Sequence, residues 1–343
     1  MDECTKSKQA EQAPLRIGRL QLDGCVALAP MSGVTDAGMR RIARRFGASL
    51  VVSEMVASDE FVRGSVEARL RAEGTGIDPH VVQIAGREAY WMGEAARVAE
   101  ASGASVVDIN MGCPAKKVTG GLSGSALMRD LDHALTLIEA TVAAVRIPVT
   151  LKMRLGWDDD TRNAPELARR AEAAGVQLIT VHGRTRCQFY TGQADWDAIR
   201  DAKEAVSLPV IANGDCSTLA DAQTMLARSG ADGVMIGRAA VGRPWLPGMI
   251  ARGLAGGPAH APSLEARREA ALEHYDSLLT AYGVRVGVRH ARKHLVGYVE
   301  DLAREGRIIP ATLRQSLVTN DSPPNVAAAL SAAFDCPLLE EAA

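Results

Sequence analysis

The chain has 343 residues, 47% hydrophobic and 23% charged, with a formal net charge of −2. Such a balance is that of an ordinary globular protein, and it excludes a nucleic-acid binder that relies on overall positive charge, so any RNA contact must come from a local patch. No apolar run approaches the roughly 20 residues that cross a bilayer, and the length suits one barrel core of about 250 residues plus one small further domain.

Residues 1–14 are polar and lack the apolar core of a signal peptide, so a flexible tail on a cytosolic protein is expected. The six cysteines, at 4, 25, 113, 187, 216 and 336, form no C-x-x-C pair, and neither a metal site nor a disulfide framework is expected. Short β-rich apolar runs then recur at 25–30, 50–56, 80–85, 106–110, 149–154, 178–184, 209–215 and 233–238. The segments between them read as helices; 94–102 and 166–174 each end at a glycine, a favoured C-cap residue. Strand and helix alternating eight times is the pattern of an α/β protein with a parallel sheet closed into a (β/α)₈ TIM barrel. A doubly wound open sheet is the alternative, but no G-x-G-x-x-G follows the first strand.

In such a barrel the chemistry lies at the C-terminal ends of the strands. Those ends read Pro30-Met31, Ser53-Glu54, Gln83, Asn110, Lys152 with Arg154, His182 with Arg184, Asn213 with Asp215, and Gly237-Arg238. Residues two apart on a strand share a face, so each of those three spaced pairs is expected to point into the site together. One polar strand end is a solvated residue; eight together are expensive to bury without a ligand. Loops 212–215 and 236–238 bear glycines that let backbone approach closely, and Arg238 adds charge, which suits a phosphate-bearing ligand. Lys152 suits the electron-rich end of a flavin ring.

Between strands 4 and 5, Asn110-Met111-Gly112-Cys113-Pro114-Ala115-Lys116-Lys117 opens a long loop of the kind that acts as a lid. Cys113, just past a strand end and beside two lysines, is placed for a tuned pKa; Cys25, inside strand 1, reads as a small buried hydrophobe. After strand 6, Cys187-Gln188-Phe189-Tyr190 puts aromatics near the mouth, to stack on bases or to close the loop onto the barrel.

Beyond a barrel domain over 15–250, residues 251–262 are rich in Gly, Ala and Pro and read as a linker. Helices expected at 264–282, 289–304, 310–317 and 324–333 make a small all-α domain over 263–335, with Ser263 as the first N-cap. Arg285, Arg289 and Lys293 recur at i, i+4 and i+8 with Arg292 alongside, a basic stripe that can meet phosphates.

The segments 29–36 (APMSGVTD), 108–114 (DINMGCP), 152–156 (KMRLG), 182–186 (HGRTR), 212–215 (ANGD) and Gly237-Arg238 resemble the tRNA-dihydrouridine synthases, the bacterial members above all, from about Ile17 to about Tyr298. The resemblance implies an FMN-binding barrel followed by a helical tRNA-binding domain. It implies that Pro30, Met31, Ser32, Gln83, Lys152, His182, Asn213, Gly214, Asp215, Gly237 and Arg238 hold FMN, that Cys113 is the catalytic acid, and that Asn110 and Arg154 face the target uracil. Arg184, Arg285, Arg289, Arg292 and Lys293 are placed with the residues that contact the RNA. The implied reaction reduces the C5=C6 bond of uridine in tRNA: NADPH reduces the flavin, hydride passes from flavin N5 to C6, and Cys113 protonates C5. Two departures stand out, Ser32 where alanine is common and Gly297 before Tyr298 where many members have Trp. A flavin barrel acting on a small pyrimidine would not need the basic helical domain, and a non-catalytic RNA-binding barrel would not need Cys113, Lys152 and His182 together. Nothing in the sequence demands more than a monomer.

Overall fold

The computed structural model describes residues 14–339. The expected tail at 1–14, Pro14 apart, and Cys4 lie outside the described residues. Eight parallel positions make the barrel: β1 (Val26–Leu28), β2 (Leu50–Val51), β3 (Val81–Ala85), β4 (Val106–Met111), β5 (Val149–Arg154), β6 (Ile179–His182), β7 (Val210–Asn213) and β8 (Gly233–Ile236). Each pairs with the next, and β8 returns to β1 with Val234 opposite Val26. The ring closes through β2, which is broken. Val52 bridges in parallel to Val81, Ser53 N–H donates to Val81 O at 3.0 Å, and the same segment resumes as Val56–Ala57 beside β3. The strands are buried on both faces, as a sheet wrapped in helices must be, so they read as near-continuous apolar runs.

The helices between strands start and stop where local chemistry dictates. Asp36 caps the helix Ala37–Arg45 by accepting from Met39 N–H at 3.1 Å. Gly230, at φ +64, ends the helix Leu219–Ser229 in the left-handed conformation that a C-cap glycine favours. Helices expected at 94–102 and 166–174 run over Ala89–Ala101 and Ala164–Ala173.

The C-terminal region is a four-helix unit: Leu264–Tyr282, Val284–Arg304, Ala311–Thr319 and Pro323–Phe334. Its own core gathers Tyr275, Leu278, Leu295, Tyr298, Leu330 and Phe334, and it also takes in Trp245 from the end of the barrel region. The helix Leu246–Leu254, by contrast, packs Ile250 into the barrel core, so the expected linker at 251–262 begins with the last turn of a helix. The second helix begins at Val284 rather than 289, which brings Arg285 onto it.

The unit is tied to the barrel by polar contacts, buried at His274 and open to solvent at Arg45. His274 Nε2 lies 3.0 Å from Asp36 Oδ2 and its Nδ1 lies 3.0 Å from Tyr298 Oη. Arg41 donates to Ser277 Oγ at 3.0 Å, and Arg45 pairs with Glu273 at 2.6 Å. Gly297 answers the question its departure raised: a Cβ there would stand 2.9 Å from Gly242 N, so the helix backbone rests on Gly242 and leaves no room for a larger side chain. Among the described residues no helix is long and apolar enough to cross a membrane, and the cysteines at 25, 113, 187, 216 and 336 are free thiols.

Candidate active site

The C-terminal ends of the strands open into one cavity of about 1090 Å³. Pro30, Met31 and Ser32 enter it from the loop after β1, and Gln83, Asn110, Lys152, Arg154 and His182 from β3 to β6. Cys113, Asn213, Gly214, Asp215, Gly237 and Arg238 complete the wall from the loops and strand ends that follow. A smaller cavity, about 430 Å³, lies at the opposite end beside His80 and Ser105, where strands begin.

Lys152 Nζ donates to Asn213 Oδ1 at 3.0 Å, and the Asn213 amide nitrogen donates to Met235 O at 2.8 Å. Burial, and then the charge of Arg154, bring the Lys152 ammonium down from 10.5 to about 8. His182 is held well below its ordinary value, first by burial and then by the cations Lys152, Arg154, Arg184 and Arg238, so its imidazole is neutral. Arg184 Nη1 approaches His182 Nε2 at 3.4 Å; a guanidinium only donates, which assigns the ring proton to Nδ1. Ser53 and Glu54 turn away from the cavity and brace its wall. Ser53 Oγ accepts from Gln83 N–H at 2.9 Å, and Glu54, its carboxyl pushed up by burial, accepts from Gly33 N–H.

The Cys113 loop is pinned from both sides. Asn110 Oδ1 accepts from the N–H groups of Gly112 and Cys113 at 3.1 and 3.0 Å, Arg154 Nε donates to Gly112 O at 2.8 Å, and Ser125 Oγ donates to Cys113 O at 2.8 Å. Burial pushes the Cys113 thiol above its ordinary 9.0, opposed in part by the Ala115 N–H, Arg154 and Lys152. The thiol therefore carries its proton at neutral pH. Lys116 and Lys117, the neighbours expected to tune it, are exposed; the cations that act on it come from β5.

At the far end of the cavity lie Cys216, Ser217, Thr218, Gly237 and Arg238, with Arg243 and Arg304 beside them. Thr218 and Asp221 form a capping box, in which Asp221 Oδ2 accepts from Ser217 and Thr218 N–H, both at 2.9 Å. Those two N–H groups are committed, so an anion there meets chiefly the turn after Gly237 and the three arginines.

Residues 27–334 match the model of a family described as dihydrouridine synthase. The chain belongs to the dihydrouridine synthase family. A probable tRNA-dihydrouridine synthase of Rhizobium leguminosarum bv. phaseoli is 57% identical over 92% of this chain and 96% of its own length. A second, from Rhodobacter capsulatus, is 53% identical over 93% and 98%. The tRNA-dihydrouridine synthase B of Pseudomonas syringae pv. tomato is 47% identical over 86% and 89%. Among solved structures, 6-hydroxypseudooxynicotine amine oxidase from Pseudomonas geniculata N1 superimposes with a TM-score of 0.55 at 12% identity, covering 72% of this chain and 50% of that one. A 2-naphthoyl-CoA reductase complex gives 0.55 at 13%, covering 71% and 52%. Both show the barrel alone.

In this dihydrouridine synthase family member, Arg184 and the four basic residues of the helical domain lie off the cavity wall. β6 stops at His182, and Arg184 N–H folds back onto His182 O at 2.7 Å, so strand alternation no longer applies to it. Its guanidinium, 1% exposed, is committed to Asp215 at 3.0 and 2.5 Å, to Thr191 O at 3.1 Å and to Gly192 O at 2.7 Å. Arg184 thus holds a loop and an acid, and has no donor left for RNA. Asp215 follows Gly214 at φ +57, so it does not share a strand face with Asn213 either. Although burial opposes it, Asp215 is kept more acidic than usual by Arg184 and Ala194 N–H, and it fixes Arg238 at 3.0 Å.

Arg285, Arg289 and Lys293 are exposed on one face of their helix, as expected. Lys293 donates to Gly33 O in the loop after β1, and Arg292 is taken by Asp321 at 3.0 Å. Met55, Arg243 and Arg304 were not legible as cavity residues. Arg304 had a signal: it lies about three helical turns beyond Lys293 and so continues the same stripe.

Proposed function

We propose that this protein reduces the C5=C6 bond of specific uridines in tRNA to 5,6-dihydrouridine, with FMN bound in the barrel, NADPH as reductant and Cys113 as acid. The observation that carries the reading is a protonated thiol on the wall of a cavity whose other walls hold a cationic lysine, a neutral imidazole and a glycine-arginine anion pocket. The fit to FMN rests on the protein's own atoms. An added Cβ at Gly237 would meet only Met31 Sδ at 3.6 Å and Ala29 Cβ at 3.7 Å, so protein packing does not call for glycine there; a ligand lying against the backbone would. Arg238, with Gly237 and Gly214, would hold the phosphate, and Met31, Gln83, Lys152, His182 and Asn213 the ring system.

When bound, reduced FMN supplies hydride to uracil C6. Negative charge then builds on C5 and O4, and the Cys113 Sγ proton passes to C5; solvent returns a proton to the thiol. Lys152 and Arg154 supply cationic charge beside that centre. A stacked uracil must be flipped to reach the cavity at a cost of a few kcal/mol, offset by contacts of the basic helical face with tRNA phosphates. The reading takes the enzyme as a cytosolic monomer without a metal.

Cys113→Ala tests it. The variant is expected to keep a yellow chromophore that NADPH bleaches, yet to form dihydrouridine about 10²–10⁴-fold more slowly, measured by mass mapping of tRNA uridines. Dihydrouridine at the wild-type rate would remove Cys113 from the reaction. Protein that binds no flavin would point to the non-catalytic alternative.

A further inference from the structure

A buried chain of polar groups runs from inside the barrel to the Cys113 loop. Thr150 Oγ1 donates to Asp108 Oδ1 and Gln83 Nε2 donates to Asp108 Oδ2, both at 2.6 Å. Asn110 Nδ2 donates to Gln83 Oε1 at 2.8 Å, and Asn110 Oδ1 takes the N–H groups of Gly112 and Cys113. The register assembles it: Asp108 lies opposite Gln83 on β3 and Thr150 on β5, and Asn110 follows on the same face.

The direction of this chain is set at its loop end. Backbone N–H groups only donate, so Asn110 must turn its oxygen to them and its NH₂ to Gln83. Gln83 must then turn its oxygen to Asn110 and its NH₂ to position 108. Position 108 has to accept, and it receives Thr150 as well; a carboxylate accepts at both oxygens. Asp108 is 4% exposed and does not line the cavity, so it touches no substrate.

We propose that Asp108 is a positioning residue for Cys113: it sets the orientation of the Gln83 and Asn110 amides and through them holds the loop that presents the thiol. The proposal rests on the reading of Cys113 as the acid. Misplacing a reacting group by about 1 Å costs on the order of 10²-fold in rate, which is the loss expected when the chain is broken.

Asp108→Leu removes the acceptor while keeping the branching at Cγ. Its kcat on tRNA is expected to fall about 10²-fold, while NADPH still bleaches the flavin and KM for tRNA stays near wild type. The pH profile of Cys113 alkylation by iodoacetamide, read by peptide mass spectrometry, is expected to change. Gln83→Glu sets two carboxylates face to face and is expected to lose comparable activity. Adding Asp108→Asn to it supplies a donor at 108 and moves the acceptor to 83, leaving Asn110 oriented as before. The double variant is expected to recover about tenfold or more over Gln83→Glu, a gain of about 1.4 kcal/mol, and the wild-type alkylation profile with it. A merely space-filling role predicts no such recovery.

Wild-type kcat and alkylation in Asp108→Leu would overturn the proposal. So would a double variant no better than Gln83→Glu, including one that fails to fold; if Asp108→Leu does not fold, that pair decides. Cys113→Ala separates the two readings: if it still makes dihydrouridine, the acid is misassigned, whereas an inert Cys113→Ala beside an unaffected Asp108→Leu removes only the positioning role.

Discussion

Gly214 and Gly237 line the same cavity for different physical reasons, and alanine separates them. Gly214 has φ +126, where an L side chain is strained, and a Cβ would stand 2.7 Å from Ala194 Cβ and 3.1 Å from His182 Cδ2. Gly214→Ala is expected to lower stability by about 1–3 kcal/mol, read from the midpoint of urea unfolding. At Gly237 the φ is −105 and the nearest protein atoms lie at ordinary contact distance. Gly237→Ala, which meets no such clash, is therefore expected to weaken flavin retention about tenfold, or 1.4 kcal/mol, on dialysis. A variant that keeps its flavin like the wild type would move the phosphate elsewhere. In the sequence both read as glycines that let the backbone approach a phosphate-bearing ligand closely. Which of them the fold itself needs was not legible, because that depends on Ala194 and Met31, residues far away along the chain. Cys113 is the converse case: its Pro- and Gly-rich loop marked it from sequence, but the cations that act on it belong to another strand.

At the scale of elements, reading strand ends two residues apart works only while the strand lasts. β5 runs through Arg154, and Lys152 and Arg154 both reach the cavity. β6 and β7 end at His182 and Asn213, so Arg184 and Asp215 pass into turns and pair with each other; Asp215 still lines the cavity, whereas Arg184 does not. The apolar periodicity that gave the barrel and the helical unit is blind to this, since it does not say where a ladder stops. It is equally blind to the joint between the two units. Asp36 caps the helix Ala37–Arg45 with one oxygen and meets His274 with the other, and His294 Nε2 lies 3.7 Å away. Burial alone would raise the Asp36 pKa; His274 and His294 more than reverse this and hold it below the usual carboxylate range. A depressed carboxylate stabilises the fold above its unfolded value of 3.8 and loses that contribution as pH falls below it. Asp36→Asn keeps a capping oxygen but is expected to cost about 1–3 kcal/mol at neutral pH. The gap to wild type should close as pH drops below that unfolded value, in parallel urea titrations. A gap that is constant with pH would show that the carboxylate charge contributes nothing to the joint.

For the molecule as a whole, a net charge of −2 means that tRNA is not drawn in by overall attraction, so under the proposed function a local basic face has to supply the binding, and that of one helix is the candidate. Arg285 and Arg289 are the exposed members with no protein carboxylate or carbonyl described as taking them, while Arg292 is paired with Asp321 and Lys293 ties the helix to the loop after β1. Arg304, three turns on and on the cavity wall, carries the same face to the mouth, so phosphates held along the stripe would lead a flipped uridine toward Cys113. Each phosphate that the protein no longer neutralises should lower the slope of log K against log salt by about 0.7–0.9. Arg285→Ala with Arg289→Ala is therefore expected to flatten that slope by about 1.4–1.8 and to weaken tRNA binding most at low salt. Arg292→Ala should change it least, because its guanidinium is already committed. Flavin bleaching by NADPH, which needs no RNA, should stay at the wild-type rate in both variants. If the double variant binds tRNA with wild-type affinity and slope, the RNA lies on another face and the stripe is only solvated surface.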